Sequence, residues 1–308
     1  MDMRTHCVTA TLRAGFLFSF LFLPFAVHSQ TGMAFLKVGI GGRAAGLAET
    51  GVALANDPAA IYWNPAGLDR NQGTVALLSH NSWLQNIRAD FLAISFPAFS
   101  GVIGLGLNIQ TIPDIELRTI PAPAPIGVFD ARDLSLTVAY SRALRNDFQV
   151  GVSVKYLHER IHVESASGVA LDAGVLVKNL VTNLRLGATM QNFGRVSALR
   201  NEEIELPALA RIGAAYSPSF SSNETPLNLT FLADAVIFFD GGSGVSVAGE
   251  YIFQKTIALR AGYQFDRENR GLAGGLGLTA GRYRIDYGYL PFSSNVGDTH
   301  RISFAVKL

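Results

Sequence analysis

From Gly73 to the last residue, apolar side chains alternate with small or polar ones at a period of two. That is the spacing of a strand whose two faces meet different surroundings. Leu134, Leu136, Val138 and Tyr140 share one face, and Ser135, Thr137, Ala139 and Ser141 the other. Val150, Val152, Val154 and Tyr156 oppose Gly151, Ser153 and Lys155, and Tyr283, Ile285, Tyr287 and Tyr289 oppose Arg284, Asp286 and Gly288. About fourteen such segments follow one another. They lie near residues 73–81, 87–96, 101–111, 130–143, 147–158, 168–178, 184–192, 207–217, 226–237, 244–254, 256–265, 270–280, 281–290 and 299–308. Their regular spacing predicts an all-antiparallel architecture.

The chemistry of the two faces separates a membrane barrel from a soluble sandwich. A sandwich needs a charged outer face and a bulky inner one. Here one face is apolar, with aromatics toward strand ends. The other mixes Gly, Ala and Ser with single charges. That is lipid outside and a polar lumen inside, in an all-β transmembrane barrel of about 14 antiparallel strands. Closure also satisfies every strand edge, as lipid demands. With both barrel ends in the periplasm, the connections at 112–129, 159–167 and 193–206 are outer loops. Those at 144–147 and 254–255 are tight periplasmic turns, and 217–226 is an exception in length. The chain ends Phe304-Ala305-Val306-Lys307-Leu308, without the terminal aromatic of many outer-membrane barrels.

The long mature segment that does not read as strand runs from Gly32 to Arg70, GMAFLKVGIGGRAAGLAETGVALANDPAAIYWNPAGLDR. Asp57 suits an N-cap with Pro58 at the first helical position. Asn64 before Pro65 ends the helix, because a residue preceding proline is pushed out of the α region. The segment is too small to form a core, so it must pack on or inside the strands. The expected organisation is a signal peptide over 1–29, a helical plug (hatch) over 30–72, and a barrel over 73–308.

Gly41-Gly42-Arg43-Ala44-Ala45-Gly46, followed by Asn56-Asp57-Pro58-Ala59-Ala60-Ile61-Tyr62-Trp63-Asn64-Pro65-Ala66-Gly67-Leu68, resembles the start of the PorV/PorQ family, part of the FadL-like outer-membrane proteins. The resemblance covers roughly forty residues, and the rest matches only in strand pattern. It implies an N-terminal plug in the lumen, with the Asn-Pro-Ala turn of the plug at Asn64, Pro65 and Ala66. The turn suits a purely structural role and a role in gating alike.

The N-terminus reads as an export signal. Arg4 and Arg13 precede an apolar run over Ala14–Val27, too short for a spanning helix and right for a signal core. Val27 and Ser29 fit the positions before a cut, with Gln30 the first mature residue; the alternative is an uncleaved anchor. Charged residues are 16% of the chain, against about 25% in ordinary soluble domains. Cys7 leaves with the signal, so the mature chain has no thiol for a disulfide, a nucleophile or a thiolate metal site. The 25 basic and 24 acidic residues become 23 of each once Arg4, Arg13 and Asp2 are removed. A neutral chain is not a nucleic-acid binder driven by bulk charge.

Two motifs tempt and fail. His158-Glu159-Arg160-Ile161-His162 spells the H-E-x-x-H zinc signature, which works on a helix, where the two histidines share a face. Here it continues a strand, where positions four apart lie ~13 Å from each other; Glu164 is a conceivable extra ligand. The ordinary reading is a polar loop at the outer rim. Gly39-Ile40-Gly41-Gly42-Arg43-Ala44 half-matches a dinucleotide fingerprint but follows no strand in a βαβ unit. Glycines packing a plug against barrel walls explain it better. Arg43 and Asp57 are expected to pair within the plug or with lumen charges such as Asp172, Arg211, Glu250 or Arg260, the alternative being hydrated surface charge. His80 and His300 are expected as isolated loop or lumen side chains. No catalytic constellation, metal site or cofactor is expected.

The resemblance implies integral residence in the outer membrane of a Gram-negative bacterium and two non-enzymatic functions. One is an accessory barrel of type IX secretion, which associates with the translocon and carries exported proteins, recognised by their C-terminal domains, to an attachment complex. Loops 112–129 and 193–206 would be its contact surfaces. The other is a FadL-like transporter of small hydrophobic compounds such as fatty acids, in which a shift of the plug opens a path. Phe193, Arg195, Val196 and Leu199 suit either. Candidate plug or gating residues are Arg43, Asp57, Asn64, Pro65 and Ala66, and the partners are outer-membrane lipid and secretion proteins, cargo or a hydrophobic ligand.

Overall fold

A computed structural model describes residues 32–118, 124–200, 203–219, 228–265, 271–291 and 297–308. The expected signal peptide over 1–29, its cut near Ser29, and most of the 217–226 connection lie outside the described residues.

Among the described residues fourteen strands form one closed antiparallel barrel: β1 (Val75–Ser82), β2 (Arg88–Ala98), β3 (Gly101–Leu117), β4 (Gly127–Arg145), β5 (Phe148–Ile161), β6 (Glu164–Lys178), β7 (Leu184–Val196), β8 (Leu209–Tyr216), β9 (Asn228–Phe238), β10 (Ser243–Phe253), β11 (Ile257–Phe265), β12 (Leu272–Ala280), β13 (Tyr283–Pro291) and β14 (Asp298–Lys307). Each pairs with its sequence neighbours. The last closes on the first, from Val75 opposite Lys307 to Ser82 opposite His300. The period-two pattern sets which face each side chain takes. On β5, Val152, Val154 and Tyr156 point out and are exposed, while Gly151, Ser153 and Lys155 are buried within.

The rim is sloped. β3 to β6 run 17, 19, 14 and 15 residues, whereas β1 has 8 and β11 to β13 have 9 each. A tilted strand crosses the hydrocarbon in about 9–11 residues. The short side therefore just spans, and the tall side rises past the outer boundary. This corrects two expected loops. In the connection at 112–129, residues 112–117 and 127–129 are strand, with a bulge between Ile112 and Ile115 that accommodates Pro113. The connection at 159–167 is a hairpin in which Ile161 pairs with Glu164. Backbone groups above the membrane are still satisfied best by their neighbours, so the ladders continue upward.

Residues 33–72 lie inside the barrel and supply its core. Ile61, Tyr62, Trp63 and Leu68 pack with Leu77, Phe91 and Val102 of the wall, and Leu47 and Leu54 with Leu176, Ala215 and Leu232. The segment starts near the outer mouth. There Lys37 pairs with Asp240 in the connection between β9 and β10, and Met33, Phe35 and Leu36 pack on Leu157 and Leu206. It leaves at the opposite mouth, where Gly73 leads into β1. Its helical pieces are short: α1 (Gly42–Gly46), α2 (Ala60–Trp63), and 3₁₀ turns at Ala34–Lys37 and Pro65–Gly67.

Candidate functional site

The plug touches two opposite parts of the wall, and the two contacts differ in chemistry. The first is built on the Asn-Pro-Ala turn. Asn64 is extended, as a residue before proline must be, and Pro65 opens the 3₁₀ turn. The Asn64 side chain is wholly buried and makes three hydrogen bonds. Its Nδ2 donates to the Val52 carbonyl at 3.0 Å and to that of Val175 on β6 at 3.1 Å; its Oδ1 accepts from the Ala66 N–H at 3.1 Å. The Ser141 hydroxyl on β4 donates to the Ala66 carbonyl at 3.3 Å. A Cβ on Gly174 would lie 2.0 Å from Asn64 Oδ1, and one on Gly151 would lie 2.3 Å from the Ala66 nitrogen. Glycine at these two positions is what lets the turn reach the wall.

The second contact is ionic. Arg43 on α1 grips Glu250 of β10 with two bonds, Nε to Oε1 at 3.0 Å and Nη2 to Oε2 at 2.7 Å. Glu250 also accepts from Arg260 of β11 at 2.8 Å, and Arg260 pairs with Asp286 of β13 at 2.8 Å. Asp286 pairs with Arg284 at 2.8 Å, and Arg284 pairs with Asp57. Six charges thus form one chain, Arg43–Glu250–Arg260–Asp286–Arg284–Asp57, neutral in sum, that starts and ends on the plug. Paired two-tooth contacts of this kind are among the stronger hydrogen bonds. Burial pushes the Asp57 carboxyl up. Arg284, with help from Arg43 and the Ala59 N–H, outweighs it and holds the group below its ordinary value. Asp57 Oδ1 accepts from that N–H at 2.9 Å, so it caps the turn before α2, which begins at Ala60 rather than at Pro58.

The glycines of the Gly-Gly-Arg-Ala-Ala-Gly stretch place α1 against β12 and β13. A Cβ on Gly42 would lie 2.4 Å from the Asp286 carbonyl oxygen, and one on Gly46 2.7 Å from the Gly275 Cα. Between the two contacts, wall groups tie down the plug backbone. Asp234 accepts from the Gly51 and Val52 N–H groups at 2.7 and 3.0 Å, and Gln264 donates to the Ala48 carbonyl at 2.9 Å. Glu49 pairs with the fully buried Arg301 at 2.7 Å. The cavity between α1, Trp63, Leu77 and Arg284 holds about 30 Å³, room for a water.

Of the residues singled out by sequence, Arg43 meets Glu250 as one of its expected partners. Asp57 meets Arg284, which was not among them. Asp172 and Arg211 serve elsewhere: Asp172 pairs with Lys155 at 2.8 Å, and the Arg211 guanidinium lies 5.1 Å from the Trp63 ring. Arg284, Asp286, Glu49 and Arg301 were missed as plug anchors. For Arg284, Asp286 and Arg301 the signal was a charge on the inward, non-aromatic positions of a strand, whereas Glu49 lies in the plug itself. His80 and His300 are neither loop nor lumen groups. They sit on the outward faces of β1 and β14, against Asp90 and the Tyr287 hydroxyl.

The H-E-x-x-H run is strand through Ile161, not loop. His158 points out to the Ser167 hydroxyl at 2.9 Å, while the His162 ring lies in the hairpin against Phe129. Among the described residues no three or more His, Cys, Asp or Glu groups gather as metal ligands.

The family model described as type IX secretion system protein PorV matches residues 27–185, just over half of the 308 residues. No curated protein matches the chain. The fold is similar to a Pseudomonas putida toluene transporter, TodX, with a TM-score of 0.63 at 14% identity over 88% of this chain and 99% of that one. It is similar in the same way to a TodX variant described as a monoaromatic hydrocarbon channel, with a TM-score of 0.63 at 13% identity over 88% and 99%. At such identities the likeness speaks for the fold alone. A closed, outward-apolar barrel of this kind resides in the outer membrane.

Proposed function

The chain belongs to the PorV family, and we propose that it serves as an accessory barrel of type IX protein secretion, a non-enzymatic component that holds a secreted protein or a translocon subunit at the outer surface. The match over residues 27–185 carries this reading. The filled lumen supports it. The plug is fastened to both sides of the wall, and the cavity between α1, Trp63 and Leu77 holds about 30 Å³, which suits docking better than conduction. The tall β3–β6 side offers a protruding surface beyond the membrane for a protein partner.

The likeness to TodX favours a second reading, passage of a small hydrophobic compound. It would require the ionic contact of the plug to open. One experiment separates the two: purification from the native outer membrane in mild detergent, with identification of everything that accompanies the barrel. A large translocon subunit, or cargo sharing a C-terminal domain, supports the secretion role. A stoichiometric apolar small molecule with no protein partner overturns it.

A further inference from the structure

Buried carboxylates facing the lumen are generally matched by a cation or by N–H donors. Glu49 has Arg301, Asp57 has Arg284, Asp172 has Lys155, Glu250 has Arg43 and Arg260, and Asp286 has Arg260 and Arg284. Asp234 has two backbone N–H groups. Asp133 has neither, and Glu159 has a single backbone N–H, that of Met33. They sit opposite each other on β4 and β5, two positions below the β5–β6 hairpin, and are 6% and 9% exposed. Their carboxyl groups lie within hydrogen-bonding reach of each other. Among the described residues, no Lys, Arg or His pairs with either.

Gln110 on β3 stands beside Asp133 in the same lateral row and is 4% exposed. Its amide oxygen has no hydrogen-bond partner among the described residues, and neither has that of Asn108 on the same face. Two carboxylates beside the uncommitted amide oxygen of Gln110 form a hard, all-oxygen donor set. Leaving such groups buried without a positive partner is costly. A calcium-sized ion accepts six to eight oxygens from carboxylates, amides and water.

The geometry points to a divalent-cation site formed by Asp133, Glu159 and Gln110 at the outer end of the lumen. Glu159 also accepts a hydrogen bond from the Met33 backbone N–H. An ion held there would brace three wall strands and fix the start of the plug in one stroke. The site uses the glutamate of the H-E-x-x-H run, and neither of its histidines.

The test is calcium titration of the full barrel in detergent after stripping with EDTA. It is followed by calorimetry and by the heat-dependent shift in gel mobility. One calcium is expected to bind per chain and to raise the midpoint by about 5 °C at a hundredfold excess over Kd. Asp133→Asn should abolish both responses. Should that variant fail to assemble, Gln110→Ala is the second probe, with an expected drop in calcium affinity of about tenfold. An equal calcium response in the wild type and in either variant would place the ion elsewhere, for instance on bound lipid, and would overturn the proposal. So would the absence of calcium binding, which would leave Asp133 and Glu159 as a pair sharing one proton.

Discussion

The two faces on which the plug rests differ in kind. Against β4–β6 the contact is neutral. It consists of one asparagine, a proline turn, backbone carbonyls and two glycines that admit no side chain. Against β10–β13 it is a chain of alternating charges that begins and ends on the plug. Neutral amide contacts depend on shape and hardly respond to pH or salt. Ion pairs depend on the charge of every member, and on this side an open cleft of about 760 Å³, lined by Arg43, Glu250 and Arg284, lets water approach. The plug is thus hinged on one wall and latched on the other.

The hardest test of the hinge is Gly174→Val. The new Cβ would collide with Asn64 Oδ1, 2.0 Å away. Overpacking and the lost amide bonds together should cost about 4 kcal/mol. Urea unfolding followed through the fluorescence of Trp63, buried in the plug, would report it. An unchanged midpoint would mean that the turn is not a fixed point.

On the latch, Glu250→Ala leaves Arg43 without its carboxylate and Arg260 with only Asp286. Breaking a buried pair in this way should cost about 3 kcal/mol, and proteolysis within residues 43–57 should become faster. Trp63 fluorescence should change little if the hinge holds.

Acid separates the two faces without mutation. The Asp57 carboxyl is held below its ordinary value. Its stabilisation is therefore complete above the unfolded value of about 3.9 and is lost as pH falls through the lower folded one. The midpoint attributable to this pair should be flat from pH 8 to 5 and fall below about pH 4. Asp57→Asn should flatten that acid limb, whereas a hinge variant should leave it intact.

The smallest effect is expected from replacing both latch partners. Arg43→Met with Glu250→Met should lie within about 1 kcal/mol of the wild type, because apolar substitutes avoid the cost of desolvating two charges. A loss as large as that of Glu250→Ala would show that the network is needed as a whole.

Much of this was legible in the sequence, and the gaps have physical reasons. The fourteen strands stand where alternation places them. Their outer ends on β3–β6 do not, because above the membrane both faces are wet and the contrast between them fades. Pro113 read as loop, yet it sits in a bulge with Asp114 at φ 57°. The glycines of the Gly-Gly-Arg-Ala-Ala-Gly stretch could be read as packing residues, but not which wall they meet. Arg284 was visible as an inward charge, with nothing in its own segment to connect it to Asp57, 227 positions away.

The barrel, its sidedness and the presence of an internal segment could be read from the chain alone. Those properties rest on a local period of two and on the contrast between lipid and water, which every strand repeats. The partners came from the folded barrel: Asn64 with Val175, Arg43 with Glu250, Asp57 with Arg284, and Asp133 with Glu159. Such pairings depend on how far the closed sheet is staggered and on which wall the plug leans. Neither is written in any stretch of chain short enough to read alone.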